Sequence, residues 1–400
     1  MLRSLFAGIS GLRAHQTMMD VTGNNIANVN TTGFKSSQTV FQDTLSQLLR
    51  GAGAPQGGNG GTNPSQVGLG VRLAGVTTNF GQGSAQTTGR ATDLMIQGDG
   101  FFVVKNAGEE MFTRAGAFSF DSDGRLTTPE GGVVQGWSAD VNGGINSNAP
   151  VSDIVLPVGK VLSPVATTEA TIGGNLPADV ADGTVVPTSI KVFDAQGTEH
   201  DLAVTFTKAT APATGWTISS PTGGTVTPAT LDFTGAGATP NTPTLTYVDA
   251  ANGLNVTVKV ATMTGYAGQN SASALSQTGS AMGTLQAFTM SPDGTLVGVF
   301  SNGLKQPLGQ IALSNFNNPA GLEKVGGSMY RTTVNSGTAQ LGVAGNGGRG
   351  LLSSGTLEMS NVDLAQEFTN LIVAQRGFQA NSRVITTSDS ILEDLVNLKR

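Results

Sequence analysis

Four hundred residues suffice for two or three domains with substantial cores, and 56 glycines beside only 12% charged residues suit turn-rich β-structure better than a typical enzyme. A formal charge of −6 and a pI near 5.0 leave no basic footprint for nucleic acid. Cysteine is absent, which removes disulfides and thiolate chemistry, and His15 and His200 lie too far apart in sequence to suggest a zinc site.

At the N-terminus, Leu2, Leu5, Ile9, Leu12, Gln16 and Met19 recur at alternating three- and four-residue spacings, the heptad seam of an α-helix with a polar break at Gln16. The other end answers with Leu364, Phe368, Leu371, Gln375, Phe378, Ser382 and Ile385, and Leu392 and Leu395 resume the stripe. Ser360 with Asp363 reads as a capping box, and Met359 with Leu364 as its hydrophobic staple. A helix from Asp363 to Arg400 would run roughly 57 Å at about 1.5 Å per residue. These apolar stripes are too small to repay the ordering of two terminal segments, so the ends are expected to fray alone and become helical when chains pack together. No apolar run of about eighteen residues occurs, so membrane insertion is not expected. No convincing cleavage site closes the N-terminal segment, so no conventional signal peptide is expected.

Between the first helix and the body of the chain stands Gly23, Asn24, Asn25, Ile26, Ala27, Asn28, Val29, Asn30, Thr31, Thr32, Gly33, Phe34, Lys35. This GNNIANVNTTGFK run resembles the signature of the bacterial flagellar rod and hook proteins, and the stretch from Val362 to Leu398 is similar to the other end of that family. The resemblance implies a homopolymer, a hollow helical tube acting as a flexible universal joint that transmits torque from rod to filament. In such a tube Leu2, Leu5, Ile9, Leu12 and Met19 would meet Leu364, Phe368, Leu371, Phe378 and Ile385 in an inner layer, with Leu392 and Leu395 extending the interface. Asn24, Asn25 and Asn28 would bond backbone groups at a bend, and Gly33 would supply a turn. The resemblance further implies export by the flagellar apparatus without cleavage, a place in the extracellular flagellum, and contacts with a distal rod protein, a hook cap, a hook-length control protein and hook–filament junction proteins. A distal rod protein shares both terminal motifs and is the alternative within the family; a β-rich surface adhesin is the alternative outside it.

The rest of the chain predicts a mainly β fold with α-helical termini and two nested β-domains. Residues 36–70 are glycine-rich and nearly free of large side chains from 50 onward, and read as an extended or flexible connector expected to pack along a neighbouring subunit. An inner β-domain is expected over 71–145 and 278–357, carrying GFFVV at 100–104 and a hairpin from Phe118 to Leu126 through Asp121-Ser122-Asp123-Gly124. An inserted outer β-domain is expected over 146–277, with a hairpin around Asp194-Ala195-Gln196-Gly197 and a period-two strand at Leu254, Val256, Val258 and Val260. The terminal helical assembly domain takes 1–35 and 358–400.

Neither motif that hints at chemistry has its context. Asp121 to Gly124 lacks the remaining oxygen ligands of a calcium loop, and Gly345-Asn346-Gly347-Gly348-Arg349-Gly350 has no convincing strand before it or helix after it to make a dinucleotide fingerprint. No nucleophile, base and orienting group converge in the sequence, so catalysis, cofactors and metals are not expected.

Overall fold

The computed structural model describes residues 2–55, 57, 60–140, 143–157, 159, 161–210, 215–234 and 239–397, with the side chains of Leu2 and Leu395 outside that description. Two long helices, α1 over Leu2–Ala27 and α2 over Leu364–Asn397, bracket a chain whose other regular elements are almost all strands. The chain divides into two compact units, one formed by 1–156, 289–297 and 307–400, the other by 157–288 and 298–306.

In the first unit, α1 leads into a two-stranded ribbon that takes in most of the expected connector. Strands β1 (Ser37–Asp43) and β4 (Val71–Thr78) pair antiparallel from Ser37 opposite Thr78 to Asp43 opposite Val71. Strands β2 (Ser46–Arg50) and β3 (Ser65–Gly68) continue the same antiparallel course from Ser46 opposite Gly68. Every residue of β2 and β3 is exposed, Leu48 and Leu49 included. Main-chain pairing organises this segment despite its small side chains, because a ladder needs only backbone donors and acceptors.

The body of this unit is an antiparallel sheet in which Phe101–Asn106 pairs with Glu109–Thr113 on one side and with Val133–Ser138 on the other. Phe101 and Phe112 are at most 2% exposed, and both set their rings edge-on to Phe316, at 5.7 and 4.9 Å between centroids. Trp137 closes the cluster and donates its indole N–H to the Ala149 carbonyl at 2.8 Å. The Asp121 turn is a hairpin device: its Oδ1 accepts the Asp123 and Arg125 amides at 2.9 and 2.7 Å, and Arg125 pairs with Asp123.

The second unit is a sandwich. Val185–Phe193 and Glu199–Lys208 form a nine-residue-register hairpin extended by Trp216–Ser219. A second sheet contains Thr244–Asp249, Leu254–Lys259 and Glu169–Asn175, the last two running parallel. The alternating residues Val192, Leu202, Val204 and Phe206 of one sheet share a core with Leu245, Tyr247, Val256 and Val258 of the other, all at most 1% exposed.

Candidate assembly face and buried charge junction

The two terminal helices pack on each other antiparallel, through small and polar side chains more than through large apolar ones. Gly8 lies against Ile385, where an added Cβ would stand 3.3 Å from Cγ1. Gly11 lies against Asn381, with an added Cβ 2.7 Å from its Nδ2, and Gly377 against His15, with an added Cβ 2.5 Å from the imidazole ring. Ala14, Thr22 and Asn25 on α1 and Glu367, Ala374 and Ser388 on α2 are buried. On α2 the line Glu367, Leu371, Ala374, Phe378, Asn381, Ile385, Ser388, Leu392 keeps the four-three alternation throughout. Glycine and alanine let the two backbones approach closely, which repays the roughly 1 kcal/mol that a helical glycine costs. Each terminal helix thus has a packing partner within its own chain.

On α2 the predicted apolar seam shares Leu371, Phe378, Ile385 and Leu392 with this line, while on α1 it lies beside the buried Gly8, Gly11, Ala14, Thr22 and Asn25. Leu5, Ile9, Leu12 and Met19 are half-buried, as are Leu371, Phe378, Ile385 and Leu392, while Gln16 is exposed. Leu364 and Phe368 remain 40% and 50% exposed. Leu2 and Leu395 were also predicted for the seam, and their side chains lie outside the described residues. Sequence reasoning missed Gly8, Gly11, Ala14, Thr22, Ala374, Asn381 and Ser388; a search for small or polar residues at heptad spacing would have found Ala374, Asn381 and Ser388. Turned away from the seam, α2 presents Ile372, Val373, Val384 and Ile391, each between 42% and 57% exposed.

The start of α2 differs from the predicted box. Asp363 is the N-cap: its Oδ1 accepts the amides of Ala365 and Gln366 at 2.9 and 3.2 Å. Ser360 sits farther back and accepts the Val362 amide at 3.3 Å, so Met359 and Leu364 no longer occupy staple positions.

Behind the helices, the GNNIANVNTTGFK run ties the two chain ends to the sheet. Asn25 donates to the Ser37 carbonyl at 2.8 Å, accepts the Ser37 amide at 3.0 Å and donates to Glu367 Oε1 at 3.0 Å. Asn28 donates to the Asn24 carbonyl and side chain, both at 2.9 Å. Gly23 is exposed, while Ile26 and Phe34 are half-buried. Gly33 has φ +66°, donates to the Glu358 carbonyl at 2.8 Å, and would carry a Cβ only 2.4 Å from the Ala115 amide nitrogen, so no other residue fits.

The run ends in Lys35, whose ammonium is fully buried and pairs with Glu358 Oε1 at 2.6 Å. Arg114, 2% exposed, reaches Glu358 Oε2 at 3.5 Å and donates to the Gly98 carbonyl at 2.8 Å. Glu358 Oε1 also accepts the Gly83 amide at 2.9 Å. Burial pushes the Lys35 ammonium below its ordinary pKa, with Glu358 opposing and Arg114 adding to the shift, and burial likewise lowers Arg114. Burial raises the nearby Tyr330 phenol above its usual range, so it stays neutral. One carboxylate thus holds two buried cations where the N-terminal arm, the C-terminal arm and the sheet meet. Glu358 and Arg114 gave no periodic signal and were missed.

This arrangement binds the two chain ends to the sheet. Among the described residues no group of three or more acidic or histidine side chains is placed to hold a metal ion. The loop at 345–350 folds back on the sheet, with the Gly350 amide donating to Asp99 and Arg349 donating to the Val343 and Gln340 carbonyls.

Four family models match along the chain. The flagella basal body rod protein model takes residues 5–35, the flagellar hook protein FlgE/F/G D1 domain takes 95–175, the flagellar basal body protein FlaE D2 domain takes 166–280 and the flagellar basal body rod FlgEFG protein C-terminal model takes 353–398. The flagellar hook protein FlgE of Treponema pallidum is 38% identical over 464 residues, covering all of both chains. The chain belongs to the bacterial flagellar hook protein family. The hook protein of Borreliella burgdorferi is 39% identical over 442 residues, again covering both chains fully. A crystal structure of the Helicobacter pylori hook protein FlgE2 has a similar fold, at TM-score 0.53 and 16% identity, covering 68% of this chain and all of that one. In this hook-family chain the two terminal matches take in most of both helices and both partners of the buried pair, Lys35 and Glu358. The family is one of structural flagellar components.

Proposed function

We propose that this chain is the structural subunit of the flagellar hook and self-assembles, through α1 and α2, into a hollow helical tube that bends while passing torque from rod to filament. The observation that carries this reading is the apolar surface left on α2 after it has packed on α1: Leu364, Phe368, Ile372, Val373, Val384 and Ile391 are all at least 40% exposed. A monomer leaves such a stripe in water at a cost; a second copy covers it. The inner layer then holds the polymer, with Leu2, Leu5, Ile9, Leu12, Met19, Leu371, Phe378, Ile385, Leu392 and Leu395 completing it, and the exposed ribbon β2–β3 packs along a neighbour. The buried junction at Lys35, Glu358 and Arg114 makes each subunit's helices move as one body with its sheet, so that bending falls between subunits.

On the same reading, the tube is extracellular and joins a distal rod protein at its base and junction proteins at its tip. The subunit would travel through the flagellar export apparatus without losing its N-terminus, under a hook cap and a hook-length control protein. Neither an adhesin nor an enzyme accounts for paired terminal helices with an apolar outer face. The test is electron microscopy of the concentrated full-length protein beside a version lacking 1–30 and 361–400. Tubes from the first and single particles from the second are expected; single particles from both would overturn the reading.

A further inference from the structure

The outward face of α2 carries charge as well as apolar surface, and the charges are segregated along the helix. At about 100° per residue, Arg376, Arg383 and Asp394 fall within roughly 20° of one another, on the side opposite Ala374, Asn381 and Ile385. All three are exposed. Among the described residues Arg376 reaches only the Gln379 side chain, at 3.4 Å. Among the described residues Arg383, Glu393 and Asp394 have no side-chain hydrogen bond or ion pair. The two acidic groups also stand in the last turns of the helix, where the C-terminal end of the macrodipole disfavours negative charge. Within one chain this pattern is unfavourable or at best idle.

We propose that the cationic band of one copy pairs with the acidic band of a second copy, Arg376 and Arg383 receiving Asp394, with Glu393 at the rim. This rests on the polymer reading above and specifies its register. Arg383 and Asp394 are separated by three turns, roughly 16 Å, and Arg376 and Asp394 by five turns, roughly 27 Å. Two copies with parallel α2 helices and an axial offset toward the longer of those values bring opposite charges together while each neighbour covers only about half of the helix face, whereas copies in exact register set like charge beside like. The contact is head-to-tail, each copy giving its acidic band to one neighbour and its cationic band to another, which is the kind of contact that propagates instead of closing on a dimer. Ile372, Val373, Val384 and Ile391 flank the charges and supply the buried area; the charges set the offset.

The experiment follows tube formation by light scattering and electron microscopy for the full-length wild type, R376E/R383E, D394R, and the charge-swapped R376E/R383E/D394R, with helix content checked by circular dichroism. R376E/R383E and D394R are expected to assemble at least about tenfold more slowly than wild type while keeping native helix content, because each sets like charges together. The swapped variant is expected to recover most of the wild-type rate. The inference is overturned if R376E/R383E assembles as wild type does, or if the natively helical swap recovers nothing. Should the wild type itself form no tubes, the polymer reading falls and this inference with it; wild-type tubes with indifferent variants sink the register alone.

Discussion

The helix pair and the sandwich at 157–288 are held together by opposite means. The sandwich buries its alternating large residues almost completely, with Phe206, Val192 and Val256 at 0% exposure. The helix pair buries Ala374, Thr22, Asn25 and Ser388 and leaves its larger residues half-covered or exposed. A core of the first kind is finished within one chain. A seam of the second kind brings two backbones close while keeping apolar area in reserve for other chains. The difference separates what the monomer needs from what the polymer needs, and mutations should separate them in the same way.

The largest effect is expected at Phe206→Ala, which should destabilise the sandwich by about 3–5 kcal/mol. Urea denaturation should show that transition moving while the helical signal stays put; if both move together, the two regions are not independent. Glu358→Ala should cost a similar amount, about 3–5 kcal/mol, because it strands the Lys35 and Arg114 charges in a dry site. Its signature is different: the helices should lose their anchor to the sheet, read as faster amide exchange in 25–37 and 358–367 with the sandwich unaffected. Gly377→Val tests the close approach itself. The added atoms meet the His15 ring, and a loss of about 1–3 kcal/mol is expected in helix stability. Ile372→Asp should be nearly silent in the monomer, within about 0.5 kcal/mol, yet abolish tubes. An Ile372→Asp protein that polymerises normally would place the assembly face elsewhere on the molecule.

Periodicity worked wherever one face of an element is buried by large residues. Leu254, Val256, Val258 and Val260 alternate in sequence and are buried in the structure, and the hairpins at Asp121 and Asp194 announce themselves through turn chemistry. The same search, looking for large apolar residues, passed over the buried small residues of the helix seam, since glycine and serine carry no hydrophobic signal even when buried. Residues 36–70, which hold β1 to β3, read from sequence as an extended or flexible connector for a related reason: their pairing is a property of the backbone, and the glycine-rich stretch from 50 onward has almost nothing to alternate.

What the residues alone determined is the plan: helical ends, a β-rich interior, and terminal motifs similar to those of flagellar axial proteins. Those follow from local spacing and turn preference, which act within a few residues. Only the tertiary structure decided which side of α2 faces its own chain and which is left for others. It alone brought Lys35, Arg114 and Glu358 into one buried junction. Contacts between positions more than three hundred residues apart depend on how the intervening chain folds, and no local pattern encodes them.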